Sequence, residues 1–511
     1  MGELDAAERE LTAASDELDA WRASLNDDDL RLLAADLCAC ADQDTGVPRV
    51  LAALVADGRA APAFALAERR RARELVNRMM QAEVLRDGRR PDGELRTAVE
   101  RRGAPVSASG LSAVLPDDET ALLEYVTGPS GAPTTLFIVT RNGVQALLLS
   151  PLDTLAPRVQ RWLAFLEDGD SPEELSRSLG AALLDSAQVL MGPTVTRLVI
   201  VPDGLLHRVP FDALRLRDGR RAIERFTIST SPSATVTREL WRRDGRSSQP
   251  AATAAVLAFG DPAFARSETE PGSLYRDAFE AAGGLARLAG SGREARMVAA
   301  FAPDGQVRLR RRATEAALRE ALTGDVQVLH LATHAIVDET TVARTALALA
   351  PGDGDDGFLS AGDVATLRMD ADLVVLSACR TAGGRLMGGE GIWGLTGPLL
   401  QAGARSVVAT GWRIGDERSV RLVHDFYTAL ADGYDVAGAM RQAKLTAIAR
   451  GESEATWAAF SVVGDPTVRV SLIVPTRTRM PERPKLLAIG LLLVVVAVAA
   501  VGWRHRAEHR G

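Results

Sequence analysis

Cysteine is scarce in this chain of 511 residues, which contains only three, at Cys38, Cys40 and Cys379. Three cysteines cannot build a disulfide framework of the kind that stabilises small secreted proteins. The first two are separated by a single alanine, whereas zinc and redox motifs of the CxxC type need two intervening residues. We therefore expect a protein of a reducing compartment, with Cys38 and Cys40 as small helix residues.

Lysine is scarcer still, because it occurs only at Lys444 and Lys485 while arginine is abundant. This bias, together with the many alanines, is typical of a GC-rich gene and favours a bacterial source. Arginine runs such as residues 308–312 ("RLRRR") therefore carry little functional weight. The formal net charge of −7 argues against a dedicated nucleic-acid-binding protein, and no nucleic-acid partner is expected.

An apolar run is missing at the amino terminus but present near the carboxyl terminus. Residues 1–21 are acidic and helical in pattern, without the apolar segment of a secretory signal. Residues 486–503 ("LLAIGLLLVVVAVAAVGW") carry no charge between basic flanks, and as a helix they span roughly 27 Å, about the thickness of a bilayer's hydrocarbon core. A buried core helix is the alternative. We expect a single-pass C-terminal anchor in the cell membrane, with the bulk of the protein in the cytoplasm.

Composition and pattern divide the chain into six segments. The predicted boundaries are 1–95, 96–250, 251–472, 473–485, 486–503 and 504–511. The first segment has apolar residues at helical spacing and predicts a helical region, and the last three are a linker, the membrane helix and a short basic tail. In the second and third segments short apolar runs alternate with helical stretches, including a predicted helix over residues 391–403. This alternation predicts an α/β fold whose mostly parallel sheet is flanked by helices on both faces.

Three apolar strands of the third segment end in residues that carry chemistry. The run "VQVLHLATH" ends at His334, "LVVLSAC" at Cys379, and "SVVATGWRIGD" near Asp416. Because ligands bind beyond the carboxyl ends of parallel strands, the three side chains are expected at one edge of the sheet. A thiolate nucleophile beside a histidine base is the arrangement that a cysteine hydrolase needs.

Structural roles are the alternative for each of these residues. A free cysteine is commonly a small buried hydrophobe, and a single histidine is more often a satisfied polar group than a catalyst. His330 shares a strand face with His334, but it lies inside the apolar run, so His334 at its end is the better candidate. Zinc binding by this pair would need helical spacing and a third ligand, and no metal is predicted.

A series of motifs runs in order from residue 198 to residue 466. They are "LVIVPDGLLHRVPFDAL", "LAFGDP", "HLATHA", "ADLVVLSACRTAGG", "GEGIWGLTGPLLQAGARSVVATGWRIGDE" and "WAAFSVVGDP". With them the chain resembles the CHAT domain family, a caspase- and separase-like group of cysteine peptidases. The resemblance implies a caspase-like α/β sandwich, in which residues 251–472 are the catalytic half and residues 96–250 a non-catalytic half of the same fold.

The resemblance also assigns roles to individual residues. It implies that His334 is the general base and Cys379 the nucleophile, with the backbone N–H groups of Cys379 and Ala335 as the oxyanion hole. Ala335 stands where the family usually has glycine, and alanine does not take positive φ freely. Asp416 matches an acidic position that faces the P1 pocket in relatives, where a carboxylate would select Arg or Lys. Capping of the following helix is the alternative role for Asp416. No cofactor is implied.

The predicted function is that of a membrane-anchored cysteine endopeptidase under regulatory control, which cleaves protein or peptide substrates after a basic residue. Residues 1–95 are the candidate docking region for an activating partner, and the apolar C-terminal helix is expected to contact the lipid bilayer. Two alternatives stay open. One is a catalytically silent scaffold or signalling adaptor at the membrane, and the other is a different hydrolase, such as a thiol acyltransferase, on a similar sheet.

Overall fold

The computed structural model describes residues 2–24, 46–86, 102–128, 131–243, 254–264, 275, 285–338, 344–352, 355–378, 381–387, 391–414 and 416–475. All three cysteines and the predicted membrane segment lie outside these residues. Within the described ranges, every helix is too short or too polar to cross a bilayer. The anchor at residues 486–503 therefore stays a prediction.

A single large sheet forms the centre of the unit Met1–Ile473. The described strands are β1 (Thr120–Val126), β2 (Thr134–Thr140), β3 (Gly143–Leu149), β4 (Arg197–Val201), β5 (Thr227–Thr230), β6 (Val256–Pro262), β7 (Gln306–Arg310), β8 (Val328–Ala332), β9 (Ala335–Ile336), β10 (Ala346–Ala348), β11 (Phe358–Ser360), β12 (Leu373–Leu376), β13 (Arg385–Met387), β14 (Gly391–Trp393), β15 (Ser406–Thr410) and β16 (Phe460–Gly464). Eleven of them form the order β3-β2-β1-β4-β5-β16-β15-β12-β8-β6-β7, beside two small sheets, β11-β10-β9 and β13-β14. Most neighbours in the large sheet are parallel, which confirms the predicted mixed α/β class.

Helices cover both faces of this sheet. They are Gly2–Ser24, Val47–Ala56, Ala60–Glu68, Arg73–Arg86, Ala108–Ser112, Leu152–Glu167, Glu173–Gly180, Ser186–Met191, Ala222–Arg225, Ala234–Arg243, Ala289–Ala299, Glu315–Ala321, Ala361–Thr366, Thr396–Ala402, Asp416–Ala431, Val436–Ala449 and Glu454–Trp457. Because side chains alternate along a strand, Leu329 and Leu331 of β8 join the apolar cluster on one face, while Val375 of β12 joins the cluster on the other. Burial on both faces explains the continuous apolar run of β12, whose four residues are all buried.

The helix predicted over residues 391–403 is shorter than expected. Gly391 adopts a φ of +81° and begins β14, and the helix itself starts only at Thr396. Gly394 is packed so closely that a Cβ there would lie 2.0 Å from the carbonyl oxygen of Gly383. β14 pairs antiparallel with β13, and this hairpin occupies the start of the predicted helix. The helical pattern therefore holds only from Thr396.

The sheet passes through both predicted halves, and its strand direction reverses between them. β5 pairs in parallel with β16 at Thr230 and Val463, and β16 is antiparallel to β15. The carboxyl ends of β1, β4 and β5 therefore lie at one end of the strands, which we call the first edge. Those of β8, β12 and β15 lie at the other end, which we call the second edge. The boundaries at residues 95, 250 and 472 stay predictions.

Candidate active site

The strands that lead to His334 and Cys379 are neighbours in the sheet. β8 and β12 are parallel, with His330 opposite Val375, and beyond the ladder the N–H of Ser377 donates to the carbonyl oxygen of Leu331 at 2.9 Å. Both chains thus leave the sheet at the same edge. His334 lies two residues beyond the end of β8, whereas Cys379 lies outside the described residues, so contact between the two side chains stays a prediction.

The chain on the far side of Cys379 is attached to the end of β15. The N–H of Ala382 donates to the carbonyl oxygen of Thr410 at 2.8 Å, and the N–H of Thr410 donates to Oγ1 of Thr381 at 2.9 Å. Described residues on both sides of Cys379 are therefore hydrogen-bonded to β8 and β15, the two strands that flank β12.

The imidazole of His334 has a defined tautomer. Its Nε2 lies 2.6 Å from the carbonyl oxygen of Ala286, and because a carbonyl oxygen only accepts hydrogen bonds, Nε2 carries the proton. In the neutral ring Nδ1 is then the basic nitrogen. The ring of Phe264 packs against the imidazole at a centroid distance of 5.4 Å. With Nε2 engaged by the Ala286 carbonyl, Nδ1 is the nitrogen that a general base would use.

Ala335 adopts a conformation that alanine tolerates. It begins the edge strand β9, opposite Leu347 of β10, and its φ is not positive. The N–H of Ala348 donates to the carbonyl oxygen of His334 at 2.9 Å, which makes Ala335 and Leu347 a non-hydrogen-bonded pair. In such a pair the backbone N–H points away from the partner strand. The geometry is compatible with the predicted donor role and does not require glycine.

His330, the other histidine of β8, is a core residue. It is fully buried, and its Nε2 lies 2.9 Å from Oε1 of Glu294 while its Nδ1 lies 3.2 Å from the hydroxyl of Tyr427. Both ring nitrogens have protein partners and no access to a substrate. Asp416 is the first residue of the helix Asp416–Ala431, and its side chain lies outside the described residues.

A cavity of about 410 Å³ lies beside the segment that follows Cys379. Its walls come from both halves of the sheet and are largely apolar. They include Leu163, Leu205, His207, Val209, Pro210, Ala382, Gly383, Gly384, Gly411, Trp412 and Ala459. The indole N–H of Trp412 donates to the carbonyl oxygen of Ala455 at 2.8 Å, which fixes this wall. A mostly apolar cavity of this size lies in the range of ligand pockets in proteins.

No role was predicted for His207, although this residue belongs to the motif "LVIVPDGLLHRVPFDAL". It lines the cavity and faces the hairpin after Cys379, because a Cβ on Gly391 would lie 3.1 Å from its Cε1. Burial lowers the pKa of His207 to about 4, Asp203 opposes this shift, and Arg71 adds to it. The imidazole is therefore neutral at neutral pH, and its position depends on tertiary contacts that no local pattern reveals.

Comparison with known proteins agrees with this architecture. A family model described as the CHAT domain matches residues 173–465, more than half of the chain. Tetratricopeptide repeat protein 28 of Mus musculus is 33% identical over 109 residues, and the Homo sapiens protein is 30% identical over the same length. Each match covers 21% of this chain and only 4% of the relative. The bacterial source stays a prediction.

Two crystal structures of the Saccharomyces cerevisiae separase–securin complex resemble the whole described fold. They match with TM-scores of 0.54 and 0.50 at 10% sequence identity, over 91% of this chain and 37% and 38% of the matched chains. At this identity the likeness shows the fold alone, a caspase- and separase-like α/β arrangement. Together with the family match, it shows that the chain belongs to the CHAT domain family.

Proposed function

We propose that this protein is a cysteine endopeptidase of the CHAT family, with Cys379 as nucleophile and His334 as general base. The observation that carries the proposal is the imidazole of His334, held in one tautomer at the carboxyl end of β8 beside the strand that leads to Cys379. Membership of a family related to caspases supports the same chemistry.

The proposed reaction follows from these positions. The Cys379 sulfur attacks the carbonyl carbon of the scissile peptide bond after His334 has taken the thiol proton at Nδ1. The backbone N–H groups of Cys379 and Ala335 stabilise the oxyanion that forms. His334 then returns the proton to the leaving amine, and water hydrolyses the thioester to release the acid and regenerate the thiol.

The substrate is proposed to be a protein or peptide with Arg or Lys at P1. The basis is Asp416, which follows the third strand of the edge and matches the family's acidic pocket position. Asp416→Asn should abolish the preference for Arg over Leu at P1 in a peptide-library cleavage profile. An unchanged preference would leave Asp416 with the helix-capping role alone.

Membrane attachment is proposed from the sequence of residues 486–503. Deletion of residues 485–511 should move the protein from the membrane fraction to the supernatant after cell lysis. A deletion variant that stays with the membranes would contradict a C-terminal anchor. The proposed protein partners have a parallel in the separase neighbours, whose structures contain securin.

Labelling by a substrate-like electrophile tests the catalytic proposal. The full-length chain is treated with an arginyl acyloxymethyl ketone, and the adduct is mapped by mass spectrometry. We expect modification of Cys379, with Cys38 and Cys40 as internal controls for general thiol reactivity. The adduct should disappear in Cys379→Ala and form at least about tenfold more slowly in His334→Gln. Labelling of all three cysteines at equal rates would favour the silent scaffold.

A further inference from the structure

Asp261, at the end of β6, is a buried carboxylate that holds two arginines. Nη2 of Arg287 lies 3.0 Å from its Oδ2, and Nη1 of Arg310 lies 2.9 Å from its Oδ1. Asp261 has a φ of +43° and a side chain that is 7% exposed. The N–H of Asp261 donates to Oγ of Ser291 at 2.8 Å. A Cβ added to Gly292 would lie 3.0 Å from the Cβ of Asp261. The residue is thus fixed on every side.

The sequence "FGDP" predicts only a turn at this position. A left-handed φ in a residue other than glycine costs free energy, and such residues persist where the surrounding structure requires them. An exposed ion pair stabilises a fold very little, and the side chain of Arg287 is 65% exposed. The stability of the Asp261–Arg287 pair alone therefore does not explain the built environment of Asp261.

Arg287 connects this carboxylate to His334 through one residue of backbone. Ala286, the residue before Arg287, provides the carbonyl oxygen that accepts from Nε2 of His334. On its other side Leu285 packs in a small apolar cluster with Phe264, whose ring also contacts His334. The Ala286 carbonyl is therefore held between an apolar anchor at Leu285 and a charged anchor at Arg287.

We propose that Asp261 is a positioning residue, which acts through Arg287 to hold the Ala286 carbonyl against Nε2 of His334. This inference rests on the proposed role of His334 as the base. When the carbonyl is held in place, the Nε2-protonated tautomer is favoured and Nδ1 is kept for the thiol proton. When it is released, the imidazole samples the other tautomer and rotates, and the fraction of productive base falls.

The tautomer of His334 can be measured without any substrate. The full-length chain is labelled with ¹⁵N-histidine, and the His334 resonances are assigned by comparison with His334→Gln. The wild-type protein should show the shifts of an Nε2-protonated ring. Asp261→Asn and Arg287→Gln should each give the averaged shifts of mixed tautomers. Both variants should also lower kcat by about 10- to 100-fold with little change in KM.

Arg310→Gln is the matched control, because Arg310 binds the same carboxylate but is remote in sequence from Ala286. It should leave the His334 shifts as in the wild type, and thermal unfolding should confirm that all variants are folded. Wild-type shifts in Arg287→Gln would overturn the proposal, and so would an equal effect of Arg310→Gln. If the tautomer responds as expected but Cys379 reacts with no electrophile, the positioning role stands and the peptidase proposal fails.

Discussion

The two halves of the sheet end their parallel strands in different ways. At the carboxyl ends of β1 and β4, the guanidinium of Arg71 donates to the carbonyl oxygens of Tyr125 and Pro202 and lies 3.2 Å from the carboxylate of Glu124. A side chain from the helical region thus occupies the place where open α/β sheets bind ligands. At the opposite edge, the corresponding place beside β8 contains His334.

Under the proposed function, the two ends of the sheet serve different purposes. At the first edge some polar groups are partners of each other, as when Asp203 accepts from the N–H of Thr127 at 2.8 Å and from its hydroxyl at 2.7 Å. The cavity borders both halves, with Leu205 from the first and Trp412 from the second. Because Arg71 fills the first edge and His334 lies at the second, we expect the first edge to serve stability and the second to serve chemistry, in keeping with the rule that function depends on the site and not on the fold.

The largest expected effect on stability comes from Arg71, which is 5% exposed. Arg71→Met leaves the buried carbonyl oxygens of Tyr125 and Pro202 without their donor and Asp203 without a nearby cation, and we expect the free energy of unfolding to fall by about 3 kcal/mol. Urea unfolding followed by circular dichroism measures this loss. The control is Arg69→Met, whose partner Asp16 is largely exposed, and it should cost less than about 1 kcal/mol. Equal losses in both variants would contradict a special role for the buried cation.

A smaller effect is expected from His207 and depends on pH. Burial lowers the pKa of His207 to about 4. The unfolded chain therefore binds a proton below about pH 6.5, whereas the folded chain binds it only near pH 4. The free energy of unfolding should therefore fall as the pH decreases from about 6.5 to about 4. His207→Gln should make this part of the stability curve flatter. A curve that is equally steep in His207→Gln would show that the imidazole titrates normally.

The order of strands and helices could be predicted from the sequence, but the partners across the sheet could not. The four buried residues of β12 and the cap at Thr314, whose Oγ1 accepts from the N–H of Ala317 at 3.1 Å, follow local rules that the sequence displays. The pairing of β5 with β16 joins residues more than 200 positions apart, and no local pattern specifies it.

The candidate site shows the same limit. His334 and Cys379 stand out because each follows an apolar strand, and a family motif surrounds them. Asp261 and His207 look like turn and loop residues, because their partners are supplied by distant segments. A buried carboxylate is recognised as functional only when the arginines that reach it are known, and these contacts depend on the folded chain.

The smallest expected effect comes from Glu124, beside Arg71 in the first half. Burial and the neighbouring carboxylate of Glu68 raise the pKa of Glu124 well above its ordinary value, against the opposing effect of Arg71. As the pH rises above the ordinary value, the unfolded chain loses this proton while the folded chain keeps it, and the wild-type protein loses stability. Glu124→Gln has no proton to lose, so its free energy of unfolding relative to the wild type should increase with pH.

Parallel urea titrations between pH 5 and pH 8 measure this difference, which should stay within about 1 kcal/mol near pH 5. Glu174→Gln, a change on an exposed helix, is the control and should follow the wild-type curve at every pH. If the difference instead shrinks as the pH rises, Glu124 is ionised in the folded protein and its ion pair with Arg71 dominates. The first edge would then be held by a buried salt bridge between Arg71 and an ionised Glu124.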